Sequence, residues 1–380
     1  MSMRVPEKPA LPLPLTAAEI DSAWLTSALR SRAPGVTVLA SGITEIIAGT
    51  CTKIRVRLEM DEAGRRAGIP ERVILKGGFE PHSRDYYFMH VMEARAYDEV
   101  LPVLKLPSPA CYFAATDDER QQGIVILEDL RARGVRFCDP LVPQTRPQVT
   151  RRLTELARFH ARTWNSAELG PGGRWHWLKE PLTRGYSYFS RFLQPEVWKR
   201  HVAAPQAAAA SVYFHDPAWM SDALERLVVL AARLPHAVLH GDTHLGNLYI
   251  DTDGTPGFFD PQPHRWPAML ETTYHIGGAL DPMDRRRWEV DLLAHYLDEL
   301  RRNGVEPPAL DEALSQYAAF LAFGFCIFLI NDTHFQPAAI NTAYVARFSA
   351  AMIDNNTLAV LKAIGPAPAP RLPGGAGAPS

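Results

Sequence analysis

The densest run of groups able to do chemistry is His240-Gly241-Asp242-Thr243-His244-Leu245-Gly246-Asn247, entered from the apolar stretch Ala237-Val238-Leu239. Asp242 and Asn247 stand five apart, and two short extended segments, 248–251 and 257–260, bracket Asp253-Gly254, a strong hairpin signal. Such a hairpin folds Asp260 back toward the loop. A carboxylate and an amide oxygen placed this way can hold Mg2+, a hard cation that takes oxygen ligands and keeps some waters. The remaining carboxylate can accept a hydroxyl proton and aim the oxygen at a phosphoryl group. The same run permits another chemistry. On a strand, His240-x-Asp242-x-His244 would turn three ligands to one side and suit a metal-dependent hydrolase. Gly241 and Gly246 favour a loop instead, and no second His/Asp cluster accompanies the run.

Elements must carry these groups. Extended segments at 36–47 and 53–60 flank a turn at 48–52, and the strand 72–76 (RVILK) ends on Lys76, one of seven lysines in the chain. A helix over 85–101, with Phe88, Val91, Met92 and Tyr97 as apolar positions, carries Glu93, 17 residues after Lys76. Strands at 110–115 and 123–127 follow. A capping box at Thr16 and Glu19 opens a helix ahead of them. The first 130 residues therefore read as a small strand-rich lobe. From Pro147 the pattern is mainly helical, with candidates near 147–165, 217–233, 285–302, 309–331 and 340–363. His160, in ARFHA, falls on an apolar helix and reads as a core residue. The Pro/Gly/Ala-rich stretch 365–380 reads as a disordered tail.

Composition narrows the choice. The 380 residues leave room for two domains, and 47% hydrophobic against 22% charged residues suffice for a sizeable core. Lys+Arg 40 against Asp+Glu 42 gives a net charge of −2, which excludes a nucleic-acid binder relying on a basic surface. Four cysteines without a CxxC pair speak against a disulfide framework or structural zinc and for a reducing compartment. The proline-rich start lacks the apolar segment of a signal peptide. The apolar run 317–330 has 14 residues, short of the roughly 18 that span a bilayer, so it reads as a buried helix. The expectation is a cytoplasmic protein with neither nucleic acid nor membrane as partner. Residues 171–220 hold ten aromatics, four of them Trp, with six Lys/Arg against three Asp/Glu. That composition argues against a polycationic ligand and suits either a bulky apolar one or plain core packing.

HGDTHLGN followed by FFD resembles the catalytic loop and metal-binding Asp of aminoglycoside phosphotransferase-like kinases, and most of all their ecdysteroid-kinase-like (CHK) branch. RVILK, EARAYDEV, IVILEDL and LARFHARTW precede the loop in matching order, so the resemblance extends over about 40–360. It implies an α+β, two-lobed protein-kinase-like fold with a small antiparallel-sheet N-lobe and a larger, mainly helical C-lobe. The nucleotide-binding lobe would span 1–130 with a hinge near 128–130, and the C-lobe 131–364 would carry the catalytic loop and acceptor site.

The implied activity is ATP- and Mg2+-dependent transfer of a phosphoryl group to a small-molecule hydroxyl acceptor, and the aromatic composition of 171–220 suits a bulky apolar alcohol such as a steroid or macrolide. Lys76, paired with Glu93, would bind the α/β-phosphates. The turn with Gly49, Thr50, Cys51 and Thr52 would cover the phosphates through backbone N–H groups, although it has a single Gly. Glu128, Asp129 and Leu130 would contact adenine through backbone groups. Asp242 would be the catalytic residue, Asn247 and Asp260 the Mg2+ ligands, and His240 and His244 supports of the loop. Pro261 stands where relatives often have an aromatic residue, and Glu271 where an Asp is common. No long activation segment is present, which argues against a protein substrate. A nucleotide-binding pseudokinase scaffold would have lost Asp242, Asn247 or Asp260, and a hydrolase would leave Lys76 and Glu93 without a role; all five residues are present.

Overall fold

A computed structural model describes residues 11–49, 51–183, 188–333 and 335–365. Thr50 of the nucleotide turn and 366–380 of the expected tail lie outside the described residues. Strands β1 (Val38–Ile47), β2 (Thr52–Met60), β3 (Arg72–Gly77), β4 (Cys111–Asp117) and β5 (Gln122–Glu128) form an antiparallel sheet in the order β1-β2-β3-β5-β4. In β2 the buried Ile54, Val56, Leu58 and Met60 alternate with Arg55, Arg57 and Glu59, so one face is apolar. That face packs on Leu25, Ala28 and Leu29 of helix α1 (Ser22–Arg30). The cap of α1 is Asp21, which accepts from the Trp24 amide at 2.7 Å. The Thr16–Glu19 pair instead closes a single 3-10 turn, Ala17–Glu19, ahead of it.

A short α2 (Glu62–Arg66) links β2 to β3. The helix expected at 85–101 is longer and compound. It runs as a 3-10 turn (Pro81–Tyr86), α3 (Tyr87–Arg95), a π turn (Ala96–Val100) and α4 (Leu101–Leu104). Gly123 lets α3 press onto β5, because a Cβ there would stand 2.8 Å from the His90 backbone carbonyl. Alternation in β3 sends Val73 and Leu75 into the core under α1, and Ile74 and Lys76 to the other face. The two cores do not divide at the end of β5: Ala94, Tyr97, Leu101, Val125 and Leu127 belong to the large core of the helical lobe.

That lobe contains α5 (Leu130–Arg133), β6 (Arg136–Phe137), α6 (Arg146–Ala161), α7 (Pro195–Val202), α8 (Pro217–Ala231), β7 (His236–Leu239), β8 (Leu248–Ile250), β9 (Pro256–Phe258) and β10 (His264–Pro267). Helices α9 (Ala268–Ala279), α10 (Pro282–Arg302), α11 (Leu310–Ile330), α12 (Ala338–Asp354) and α13 (Thr357–Ile364) complete it. The single helix expected over 340–363 is two, broken at Asn356, whose φ is 48°. Helix α11 has 21 residues and is long and apolar enough to cross a membrane by length and composition, yet 83% of its most apolar window is buried inside the protein. In the aromatic-rich stretch 171–220, Trp175, Phe189, Trp198 and Phe214 are buried in the core, so packing explains much of the enrichment.

Candidate active site

The loop 240–247 leaves β7, which pairs with β10 so that Leu239 faces His264. Gly241 has φ 88°, and a Cβ there would lie 1.8 Å from the Gln262 carbonyl oxygen, so only glycine fits. The loop is tied down amide by amide. The Glu271 carboxylate accepts from the backbone N–H of His240 at 3.0 Å and of Gly241 at 2.7 Å. Tyr344 Oη accepts from Leu245 N at 3.0 Å, and His244 Nδ1 from Gly246 N at 3.0 Å. His240 Nδ1 lies 3.4 Å from the Asp242 amide it accepts from. The two histidines therefore brace the backbone. His160 is fully buried, as a core residue should be, and its neighbours define its role. Nε2–H donates to Glu271 at 2.8 Å, and Nδ1 accepts from Tyr296 Oη at 2.8 Å.

Asp242 is partly open, with a third of its side chain exposed. Tyr274 Oη donates to Oδ1 at 3.1 Å, and Asn247 Nδ2 donates to Oδ2 at 2.8 Å. Burial pushes its carboxyl up, but His244, His240 and the Tyr274 hydroxyl outweigh this and hold it below the usual carboxylate range. Asn247 Nδ2 also donates to the Asp242 carbonyl at 3.1 Å. Two acceptors thus claim the amide nitrogen and leave the carbonyl oxygen Oδ1 for a cation.

Asp260 reaches this place through the hairpin. Leu248 pairs with Phe258, and the Phe259 amide donates to Asn247 O at 3.0 Å, so Asp260 comes back beside the loop. Its φ is 55°, a left-handed conformation that costs a non-glycine residue about 1–3 kcal/mol and persists where the surroundings hold it. Lys76 does so, bonding Asp260 Oδ1 while standing 2.5 Å from Glu93 Oε1. Burial works against the charge of Lys76, but Asp260 and then Glu93 hold its ammonium well above the ordinary value. Burial likewise pushes Asp260 up, and Lys76 outweighs it, keeping the carboxyl low. Asn247 and Asp260 offer two hard oxygen donors, which fit Mg2+ completing its shell with water and phosphate. Among the described residues no three His, Cys, Asp or Glu side chains converge on a point. His240, Asp242 and His244 lie on a loop and not on a strand, so the one-sided ligand row of the hydrolase reading does not form.

The remaining candidates lie at the turn between β1 and β2 and at the end of β5. Thr52 Oγ1 donates to Gly49 O at 3.2 Å and closes the turn, while Cys51 Sγ donates to Glu93 Oε2 at 3.7 Å. Burial pushes the Cys51 thiol up to about 12, so it stays protonated. At the end of β5, the Glu128 amide already donates to Ala110 O at 2.9 Å, and its carboxylate receives Ala110 N and Arg133. The Glu128 N–H is therefore engaged, which leaves its carbonyl as the backbone group it could offer a base. The Asp129 carboxylate caps α5 through Arg131 N at 3.1 Å and pairs with Arg55 at 3.0 Å, tying the sheet to the helical lobe. Gln262 Nε2 donates to Met89 O at 3.2 Å, and Arg95 stacks 3.6 Å over Trp177, two further ties between the lobes. The sequence marks Glu271 only as standing where an Asp is common and gives Tyr274 no role; the available signal is a Glu, a Tyr and a His at three- and one-residue steps in the stretch AMLETTYHIGGA.

The buried histidines make stability depend on pH. Burial holds the His275 imidazole down at about 3 instead of 6.5, and its Nδ1–H donates to Thr243 O at 3.1 Å. With the folded value below the unfolded one, the unfolded chain takes up the proton first as pH falls through 6.5, so the fold loses stability. From about pH 8 to about pH 5 His275 alone should lower the free energy of unfolding by about 2 kcal/mol. Denaturation of His275→Gln should show a flatter profile than wild type; identical slopes would refute the assignment. Glu271, pushed up by burial but held below its usual 4.5 chiefly by His160, adds a second loss as pH drops under that value.

A search of curated proteins finds no match. Among solved structures, the chain is similar to choline kinase from Streptococcus pneumoniae (13% identity, TM-score 0.42, covering 86% of this chain and 93% of that one). It is also similar to an amicoumacin kinase in complex with AMP-PNP and Ca2+ (16%, 0.46, 84% and 88%) and to the GDP complex of an aminoglycoside 2'-phosphotransferase (9%, 0.47, 88% and 99%). The ecdysteroid kinase-like family model matches residues 48–304, from the turn 48–52 through the loop 240–247 and Asp260 to just past the end of α10. The chain belongs to the ecdysteroid kinase-like family and is a small-molecule kinase with an α+β, two-lobed protein-kinase-like fold.

Proposed function

We propose that this enzyme moves the γ-phosphoryl group of ATP to a hydroxyl of a small molecule, with Mg2+ as cofactor. The observation that carries the reading is Lys76, which bonds Glu93 on its own lobe and Asp260 on the other, beside Asn247 and Asp242. Asp242 takes the proton of the acceptor hydroxyl as its oxygen bonds to the γ-phosphorus. The bond from that phosphorus to the bridging oxygen breaks, and ADP leaves with the electron pair. Lys76, held by Glu93, neutralises charge on the phosphates. Asn247 Oδ1 and Asp260 would hold Mg2+, which supplies further charge neutralisation across the phosphates. Backbone groups of Gly49, Cys51 and Thr52 cover the phosphates, and those of Glu128, Asp129 and Leu130 contact adenine. The nucleotide-binding lobe then spans 1–130 with its hinge at 128–130, and the acceptor lobe 131–364.

For the acceptor we favour a bulky apolar alcohol such as a steroid or macrolide. The support is the stretch 171–220, where Trp177, Phe192 and Trp219 are only partly buried and six Lys/Arg stand against three Asp/Glu, a composition that suits an apolar body better than a polycation. The cytoplasm is the fitting compartment for four free thiols. The test is thermal stability of the wild type with ATP, with Mg·ATP and with Mg·GTP. A ligand that binds only the folded state, at about 100 times its Kd, adds about 2.7 kcal/mol. Stabilisation that needs both ATP and Mg2+ is the expected result, and no shift with any nucleotide would sink the reading.

A further inference from the structure

Helix α9 delivers two groups to the loop 240–247 from one face: Glu271 to its backbone and, one turn later, Tyr274 to its reacting carboxylate. A carboxylate oxygen accepts about two hydrogen bonds. Asp242 Oδ2 has Asn247 Nδ2 at 2.8 Å and His244 Nε2 at 3.5 Å, whereas among the described residues Oδ1 has Tyr274 Oη alone at 3.1 Å. His244 Nδ1 already accepts the Gly246 amide, so the proton that faces Asp242 sits on Nε2. The remaining acceptor site of the carboxylate is therefore on Oδ1, next to the tyrosine hydroxyl. The tyrosine cannot swing away. It is 6% exposed, its ring stacks on Phe328 at 5.5 Å and 12°, and Phe328 stacks on Tyr344 at 3.9 Å and 15°. Tyr344 in turn holds the Leu245 amide, so loop and tyrosine are anchored in one aromatic stack.

We propose that Tyr274 is a positioning residue for the transfer step: its hydroxyl sets the rotamer of Asp242 so that the open site on Oδ1 meets the incoming hydroxyl group. The assignment rests on the phosphotransferase reading above. A misplacement of about 1 Å at a reacting group can cost about 100-fold in rate, and Tyr274 makes no contact with Lys76 or Asp260 among the bonds that hold the nucleotide side of the cleft.

The experiment is a single-turnover assay of Mg·[γ-32P]ATP hydrolysis, with water as the acceptor, on wild type and Tyr274→Phe. Mg·ATP affinity is measured in parallel by calorimetry. The expected result is a rate lowered about 10- to 100-fold with the Kd changed less than about twofold. A rate within about twofold of wild type at unchanged Kd overturns the role of Tyr274 while the kinase reading stands. Failure of wild type to bind Mg·ATP overturns both. A second readout needs no turnover: in a crystal structure of Tyr274→Phe the Asp242 carboxylate should leave its rotamer, and a carboxylate that keeps its place overturns the proposal. Phe328→Leu, which loosens the ring beneath Tyr274 without touching Asp242, should give an intermediate rate loss.

Discussion

Asp242→Asn will bind Mg·ATP with near wild-type affinity and transfer its phosphoryl group about 1,000-fold more slowly. The two halves of this expectation have separate causes. Asp242 bonds Tyr274 and Asn247, and Lys76, Glu93 and Asp260 form a separate charged cluster; on the proposed function the first meets the acceptor and the second the nucleotide. Asparagine keeps the shape and can still accept from one of the two donors, so the loop remains in place. What it lacks is the negative charge that takes up a proton from the acceptor hydroxyl as the phosphorus is attacked. Rapid-quench kinetics with radiolabelled ATP and a calorimetric Kd measure both quantities. A loss of affinity as large as the loss of rate would place Asp242 in nucleotide binding and refute its catalytic role.

Lys76→Ala will lose the stabilisation that Mg·ATP confers, and it will also melt earlier than wild type without any ligand. Lys76 is the cation between two carboxylates, all three at least partly buried. Removing it leaves Glu93 and Asp260 uncompensated, and breaking a buried pair in this way costs about 3–5 kcal/mol. A lower melting temperature alone would therefore not separate nucleotide binding from fold. The double variant Lys76→Met, Glu93→Leu does, since it removes one of the two stranded charges with the lysine. It should recover much of the lost stability and still show no shift with Mg·ATP. A double variant that regains the nucleotide shift would show that Lys76 serves the fold alone.

The loop HGDTHLGN and its hairpin were legible because their information is local. The Asp253-Gly254 turn lies between the short strands β8 and β9, and the pairing of Leu248 with Phe258 brings Asp260 home whatever the rest of the chain does. The same holds for β2, where alternate residues declare a buried face. Helix α9 was not legible. All twelve of its residues are buried, so no polar face interrupts the apolar one and the period of 3.6 vanishes. With α9 went Glu271, Tyr274 and His275, three of the groups that hold the loop. The aromatic excess of 171–220 misled in the opposite direction: Trp175, Trp198 and Phe214 are core residues, and composition does not distinguish a core from a pocket.

By itself the sequence determined the strand-rich and helical halves and the order of Lys76, Glu93, Asp242, Asn247 and Asp260, and its motifs carried the resemblance to a kinase family. Only the tertiary structure decided that Lys76, besides Glu93, reaches Asp260 184 residues further on, that the Asn247 nitrogen faces Asp242 and frees its oxygen, and that Tyr274 addresses one oxygen of the Asp242 carboxylate. The reason is physical. Turns, caps and alternation arise from atoms a few bonds apart, whereas hydrogen bonds between distant segments depend on how side chains pack once helices and strands have docked, and no spacing along the chain records that.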